Sequence, residues 1–104
     1  MPRISEQDAR NLLANVPEEY VFRCCNGTVF YNMSDLGNAL GNMSEETFAF
    51  HSNLTKHDFS NWVRDVIKDS KLARDLYKAA TRSQASKSVA ARITFLQGKL
   101  PQLV

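Results

Sequence analysis

Between Tyr20 and Tyr31 lies the segment that most limits what this chain can become. Tyr20-Val21-Phe22-Arg23-Cys24-Cys25 and Thr28-Val29-Phe30-Tyr31 are β-prone runs, and Asn26-Gly27 stands between them. Asn-Gly best tolerates the two positive φ values of a type I′ turn, so the spacing predicts a tight antiparallel hairpin. A two-stranded ribbon is marginal in water on its own. Helices must cover one of its faces, or a second copy must extend it. Neighbours on a strand point to opposite faces, so one of Cys24 and Cys25 is expected in the core and the other outside.

The remainder of the chain reads as helix. Ser5, with Asp8 three residues on, predicts a cap for a helix over about 6–15 carrying Ala9, Leu12 and Leu13, stopped by Pro17. Asn32 is a cap for a helix with Leu36 and Leu40, and Ser44 for a short one with Phe48 and His51. Gly37 and Gly41 weaken the former by up to ~1 kcal/mol each unless another segment packs close against them. Residues 52–56 read as a loop. From Asp58, the spacing of Phe59, Trp62, Val63, Val66 and Ile67 marks a strongly amphipathic helix that halts near Asp69. A further cap there starts a helix with Leu72, Ala73 and Leu76. After Thr81-Arg82-Ser83-Gln84, a break or a helical continuation, a last helix over about 85–98 carries Ala85, Val89, Ile93 and Leu96, with Leu100 and Pro101 beyond.

These elements define an α+β fold, one hairpin packed with four to six amphipathic helices. With 104 residues, 43% hydrophobic and 23% charged, the chain suits a single domain over 1–104 and one core. Phe22 or its alternate neighbours, Leu36, Leu40, Phe48, Phe59, Trp62, Val66, Leu72 and Leu76 are its expected members. The polar start lacks the apolar stretch of a secretory signal, and no run approaches the ~20 apolar residues of a membrane span. Adjacent cysteines rarely bridge, so free thiols in a reducing compartment are expected. The expected location is cytoplasmic, with no membrane partner.

Net charge is only +2, but it is unevenly placed. Residues 1–55 carry Arg3, Arg10 and Arg23 against Glu6, Asp8, Glu18, Glu19, Asp35, Glu45 and Glu46. No acid follows Asp75, whereas Lys78, Arg82, Lys87, Arg92 and Lys99 do. Such asymmetry favours an acidic partner.

Pro17-Glu18-Glu19 leading the hairpin, Asn32 and Leu36, Met43-Ser44 before Phe48 and His51, and then Asp58-Phe59-Ser60-Asn61-Trp62-Val63-Arg64-Asp65-Val66 form an ordered series. In this order the chain resembles a family of small prokaryotic domains, common in archaea and catalogued as of unknown function. The resemblance covers roughly residues 17–76, is most specific in the Asp58–Val66 block, and leaves the basic segment 77–100 outside. His51, Asn53, Asp58, Trp62, Arg64 and Asp65 match its signature, while His57 replaces a more usual small polar residue. Members stand alone or are appended to larger proteins, which implies an accessory or recognition role.

Chemistry is harder to find. His51, His57, Asp58 and Cys24 or Cys25 are metal-ligand types, but His-x5-His across a loop matches no tight zinc motif. A core-edge His and a surface His are the simpler reading, so no metal and no cofactor are expected. A Cys nucleophile would need His51 in contact and a third group to orient it, and the expectation is a protein without catalytic residues. Asp58 reads as a cap or first-turn acid, Arg64 as an ion-pairing residue and Trp62 as a core anchor.

Two functions compete. The apolar stripe of the last helix, Val89, Ile93 and Leu96 with Leu100, exceeds what a tail needs and predicts a non-enzymatic interaction domain. It would self-associate, as a homo-oligomer, or dock a protein, aided by the open hairpin edge. The bland reading packs that helix back on the hairpin. The alternative function is sequence-independent nucleic-acid binding, DNA included, through Lys78, Arg82, Lys87, Arg92 and Lys99. At 100° per residue, however, Lys87 points nearly opposite Arg92 and Lys99. A helix-turn-helix over residues 36–48 would present Glu45 and Glu46 to phosphates, which repels DNA.

Overall fold

The computed structural model describes residues 4–101. A hairpin forms where predicted, one residue out of the expected register. Strands β1 (Phe22–Arg23) and β2 (Val29–Phe30) pair antiparallel, Phe22 opposite Phe30 and Arg23 opposite Val29. Cys24 N–H then donates to Thr28 O (2.8 Å) and Gly27 N–H to Cys24 O (3.0 Å), leaving Cys25, Asn26 and Gly27 as a three-residue loop. Gly27 takes φ +92° and Asn26 does not go positive, so the turn is not type I′. Asn26 Oδ1 instead accepts the Thr28 N–H (3.0 Å). Glycine's freedom at the third loop position thus outweighed the Asn-Gly preference.

Short-range caps place most helices. α1 (Glu6–Leu13) opens on a Ser5–Asp8 capping box. Asn32 caps α2 (Met33–Asn42) by accepting from Asp35 N–H, and Ser44 caps α3 (Glu45–His51) by accepting from Thr47 N–H. α4 (Asp58–Trp62) runs on through a π-helical turn, Val63–Ile67, in which Lys68 and Asp69 N–H both donate to Val63 O. Lys68, at φ 73°, reverses the chain. Asp69 then caps α5 (Ser70–Lys78), and Thr81 caps α6 (Arg82–Gln97), so the polar stretch is the start of the last helix. That helix ends at Gln97 with Gly98 as its C-cap, where the reading over about 85–98 placed its end.

The helices enclose one core on one side of the hairpin. Phe30, Met33, Leu36, Leu40, Val63, Leu72, Val89 and Leu96 are its largest fully buried side chains. Phe22 and Val66 pack half-buried against it. Trp62 is buried beside Phe22 and Phe30, and its Nε1–H donates to Tyr20 O (2.8 Å). Ser60 Oγ–H donates to Ala73 O across α4 and α5 (2.6 Å).

α6 is the structural surprise. It lies along α2, where a Cβ added at Gly37 would stand 3.1 Å from Val89 Cγ1 and 3.7 Å from Ile93 Cδ1. The glycine expected to weaken α2 is the seat that lets α6 approach. The stripe predicted as a protein interface is therefore core. Val89 and Leu96 are fully buried, and Ile93 and Leu100 pack half-buried against them. The bland alternative was right in kind, with α2 in place of the hairpin as the surface covered. Leu103, the next leucine along the sequence, lies outside the described residues. The hairpin edge is a poor template for association too, since each strand has two residues and Val16 N–H already donates to Tyr31 O beyond β2 (2.7 Å).

Candidate functional site

His51 sits at the C-terminal end of α3, where its ring meets Phe22 and Phe59 and is 5% exposed. Its Nε2 accepts the Cys25 N–H (3.0 Å) and its Nδ1 lies 2.9 Å from Asp58 Oδ2. An acceptor Nε2 carries no proton, so the ring proton is on Nδ1 and donates to Asp58. The histidine clamps the hairpin turn to the start of α4. Asp58 is a first-turn acid of α4, as read from the sequence, and also pairs with Lys56 Nζ (3.2 Å).

This clamp also gathers thiols. The turn that displaced the register takes Cys25 out of strand alternation. One ligand atom each from Cys24, Cys25 and His51 then lies within 4.8 Å of the others. Cys24 is buried and Cys25 exposed. His57, the other histidine weighed as a ligand, packs against Tyr77 with ring centroids 4.2 Å apart and the rings tilted by 33°, and is no part of the group.

Asn53 builds the loop that follows. Its Oδ1 accepts from Thr55 N–H, Thr55 Oγ1–H and Lys56 N–H, and its Nδ2–H donates to Ala49 O. A bridge between Ser52 and His57 closes the loop, and Leu54 is left wholly exposed at its tip. Leu54, His57, Tyr77, Lys78, Ala79 and Ala80 border a concavity of about 550 Å³ in which no acidic side chain takes part. Arg64 and Asp65 are exposed and pair with each other (2.8 Å). The hydrogen bond from Arg64 holds the Asp65 carboxyl below its usual range, and the same bond raises the guanidinium.

Two of the five candidate nucleic-acid cations are structural. Arg92 makes a two-pronged bond to Asp69 (2.8 and 3.0 Å), with side-chain exposures of 10% and 1%. Arg82 donates to Glu45 Oε1 (2.9 Å) and Leu40 O (2.7 Å), joining α6 to α3 and α2. Lys78 borders the Leu54 concavity. Lys87 and Lys99, predicted to diverge, flank one apolar–basic face. Two adjoining concavities share Lys71, Arg92 and the half-exposed Phe95; Lys87 borders one, and Lys68, Arg74 and Lys99 the other. Lys68, Lys71, Arg74 and Phe95 escaped the sequence reading because the cations come from α5 and its approach. The readable signal was Phe95 spaced three residues from Arg92 on α6 and four from Lys99 just beyond its end.

No helix among the described residues is long and apolar enough to cross a membrane. Neither a family model, a curated protein nor a solved structure matches the chain.

Proposed function

We propose that this chain is a non-enzymatic recognition domain that docks an acidic, apolar segment of a protein partner in the concavity beside Leu54. The observation that carries the reading is a fully exposed leucine displayed on a loop tied down by Asn53, next to a 60% exposed Tyr77. Fixing a loop lowers the entropy lost when a partner binds it. Lys78 supplies the charge preference, having no carboxylate within 4 Å among the described residues. The test is fluorescence anisotropy with peptides carrying a large apolar residue flanked by Glu or by Lys. Binding of the Glu set, lost in Leu54→Asp and Lys78→Glu, is expected. Equal binding by the Leu54→Asp variant overturns the site. A dimer that Leu54→Asp dissociates makes a second copy the occupant.

The α5–α6 face favours a second reading, sequence-independent binding of single-stranded nucleic acid. Phe95 is 46% exposed there, amid Lys68, Arg74, Lys87 and Lys99, none of which has a carboxylate within 4 Å among the described residues. Cations that track phosphates around an aromatic platform are what such binding uses. Log K should then fall with log salt by about 0.7 per phosphate. No complex with a labelled oligonucleotide at tens of micromolar protein in low salt refutes it.

A further inference from the structure

We infer that Cys24, Cys25 and His51 form a binding site for a thiophilic divalent cation of the zinc class. The inference is independent of the docking reading. Three features carry it. The donor set is two sulfurs and one imidazole nitrogen, which soft and borderline d10 ions prefer over calcium or magnesium. The ring already has the tautomer a ligand requires, with its proton on Nδ1 held by Asp58 and its unprotonated Nε2, which accepts the Cys25 N–H, facing the turn. A carboxylate behind a histidine is also the usual outer support of a metal-bound imidazole.

The fit demands a modest adjustment. Ligands 2.1–2.3 Å from one tetrahedral ion stand roughly 3.5–3.8 Å apart, so donors within 4.8 Å must close by up to about an ångström. Cys25 can supply that movement, because it is exposed at the first position of a three-residue loop. The metal takes the Nε2 lone pair, and the Cys25 N–H turns to water. Each thiol gives up its proton, so uptake of one divalent ion releases two protons to solvent, and the centre adds no net charge. Three protein donors leave the fourth position, on the exposed side of the turn, for water or a ligand from a partner.

Cobalt(II) reports on such a centre, since thiolate coordination gives an intense near-ultraviolet charge-transfer band and tetrahedral geometry gives visible absorption. Reduced protein titrated with cobalt(II) should develop both at one ion per chain, and zinc(II) should displace them. Cys25→Ser changes an exposed residue and leaves the fold intact, so it is the deciding variant; it should lower affinity at least tenfold. Asp58→Asn should lower it about 10–100-fold, and His57→Gln should not change it. Absence of the charge-transfer band in the folded wild-type protein, or a Cys25→Ser variant that binds as well as wild type, overturns the site.

Discussion

Arg92→Ala tests the assignment of that cation to the fold. Its guanidinium makes two bonds, 2.8 and 3.0 Å, to a carboxylate whose side chain is 1% exposed. Asp69 Oδ1 also accepts the Leu72 N–H as the α5 cap (3.2 Å). Removing the arginine strands a buried charge, at a cost of about 3–5 kcal/mol, against a total stability of roughly 5–15 kcal/mol for a domain of this size. With a urea slope of about 1–3 kcal/mol/M, the unfolding midpoint should fall by at least ~1 M. Replacing Arg92 by Met together with Asp69→Asn should recover much of the loss, because Asn remains a good cap and no charge is left behind. The control is Lys99→Ala, which also removes a cation near Phe95 (5.0 Å) but from an exposed position, and should change stability by less than ~0.5 kcal/mol. An Arg92→Ala midpoint equal to that of Lys99→Ala, with unchanged slope, refutes the reasoning and returns Arg92 to the surface cations.

Other outcomes follow from the same packing. Trp62→Ala should cost about 3–5 kcal/mol in chemical denaturation, since it empties a buried site and orphans the Tyr20 carbonyl; an unchanged midpoint removes Trp62 from the core. Gly37→Val should cost about 1–3 kcal/mol, as its first carbon already meets Val89 at 3.1 Å; a thermal midpoint at or above that of wild type argues against close α2–α6 packing. Asn53→Ala should speed hydrogen exchange at the Thr55 and Lys56 amides while the core amides keep their protection, and unchanged exchange at both refutes its loop-building role. Asp65 has a lowered folded pKa, so its contribution is present above the unfolded value and is lost as pH falls through the folded one. Arg64→Ala should move that titration upward, which carboxyl NMR can follow, and an unmoved titration would deny the pair.

Signals confined to a few residues were legible in the sequence. Ser5, Asn32, Ser44 and Asp69 cap helices where they were expected, because a cap bonds an amide two or three residues away. The hairpin was legible for the same reason, and its register was not, because Asn-Gly serves two-residue and three-residue loops alike. What failed was long-range. Nothing local says that Gly37 receives Val89, so a buried stripe looked like an interface. Cys25 and His51 are 26 positions apart, and neither spacing nor periodicity could bring them together. The basic face stayed hidden because half of its cations precede Asp75.

The π-helical turn at residues 63–67 makes this stretch sensitive to length as well as to composition. Such a turn accommodates one residue more than a regular helix. With that slack already used, inserting a further residue there would rotate everything downstream by about 100°. Asp69 would swing off the line of Arg92, and α5 would turn its apolar side from the core. The segment joining α4 to α5 should therefore accept changes of side chain at its exposed positions far more readily than an added residue, an asymmetry that a scan of single-residue insertions can read directly.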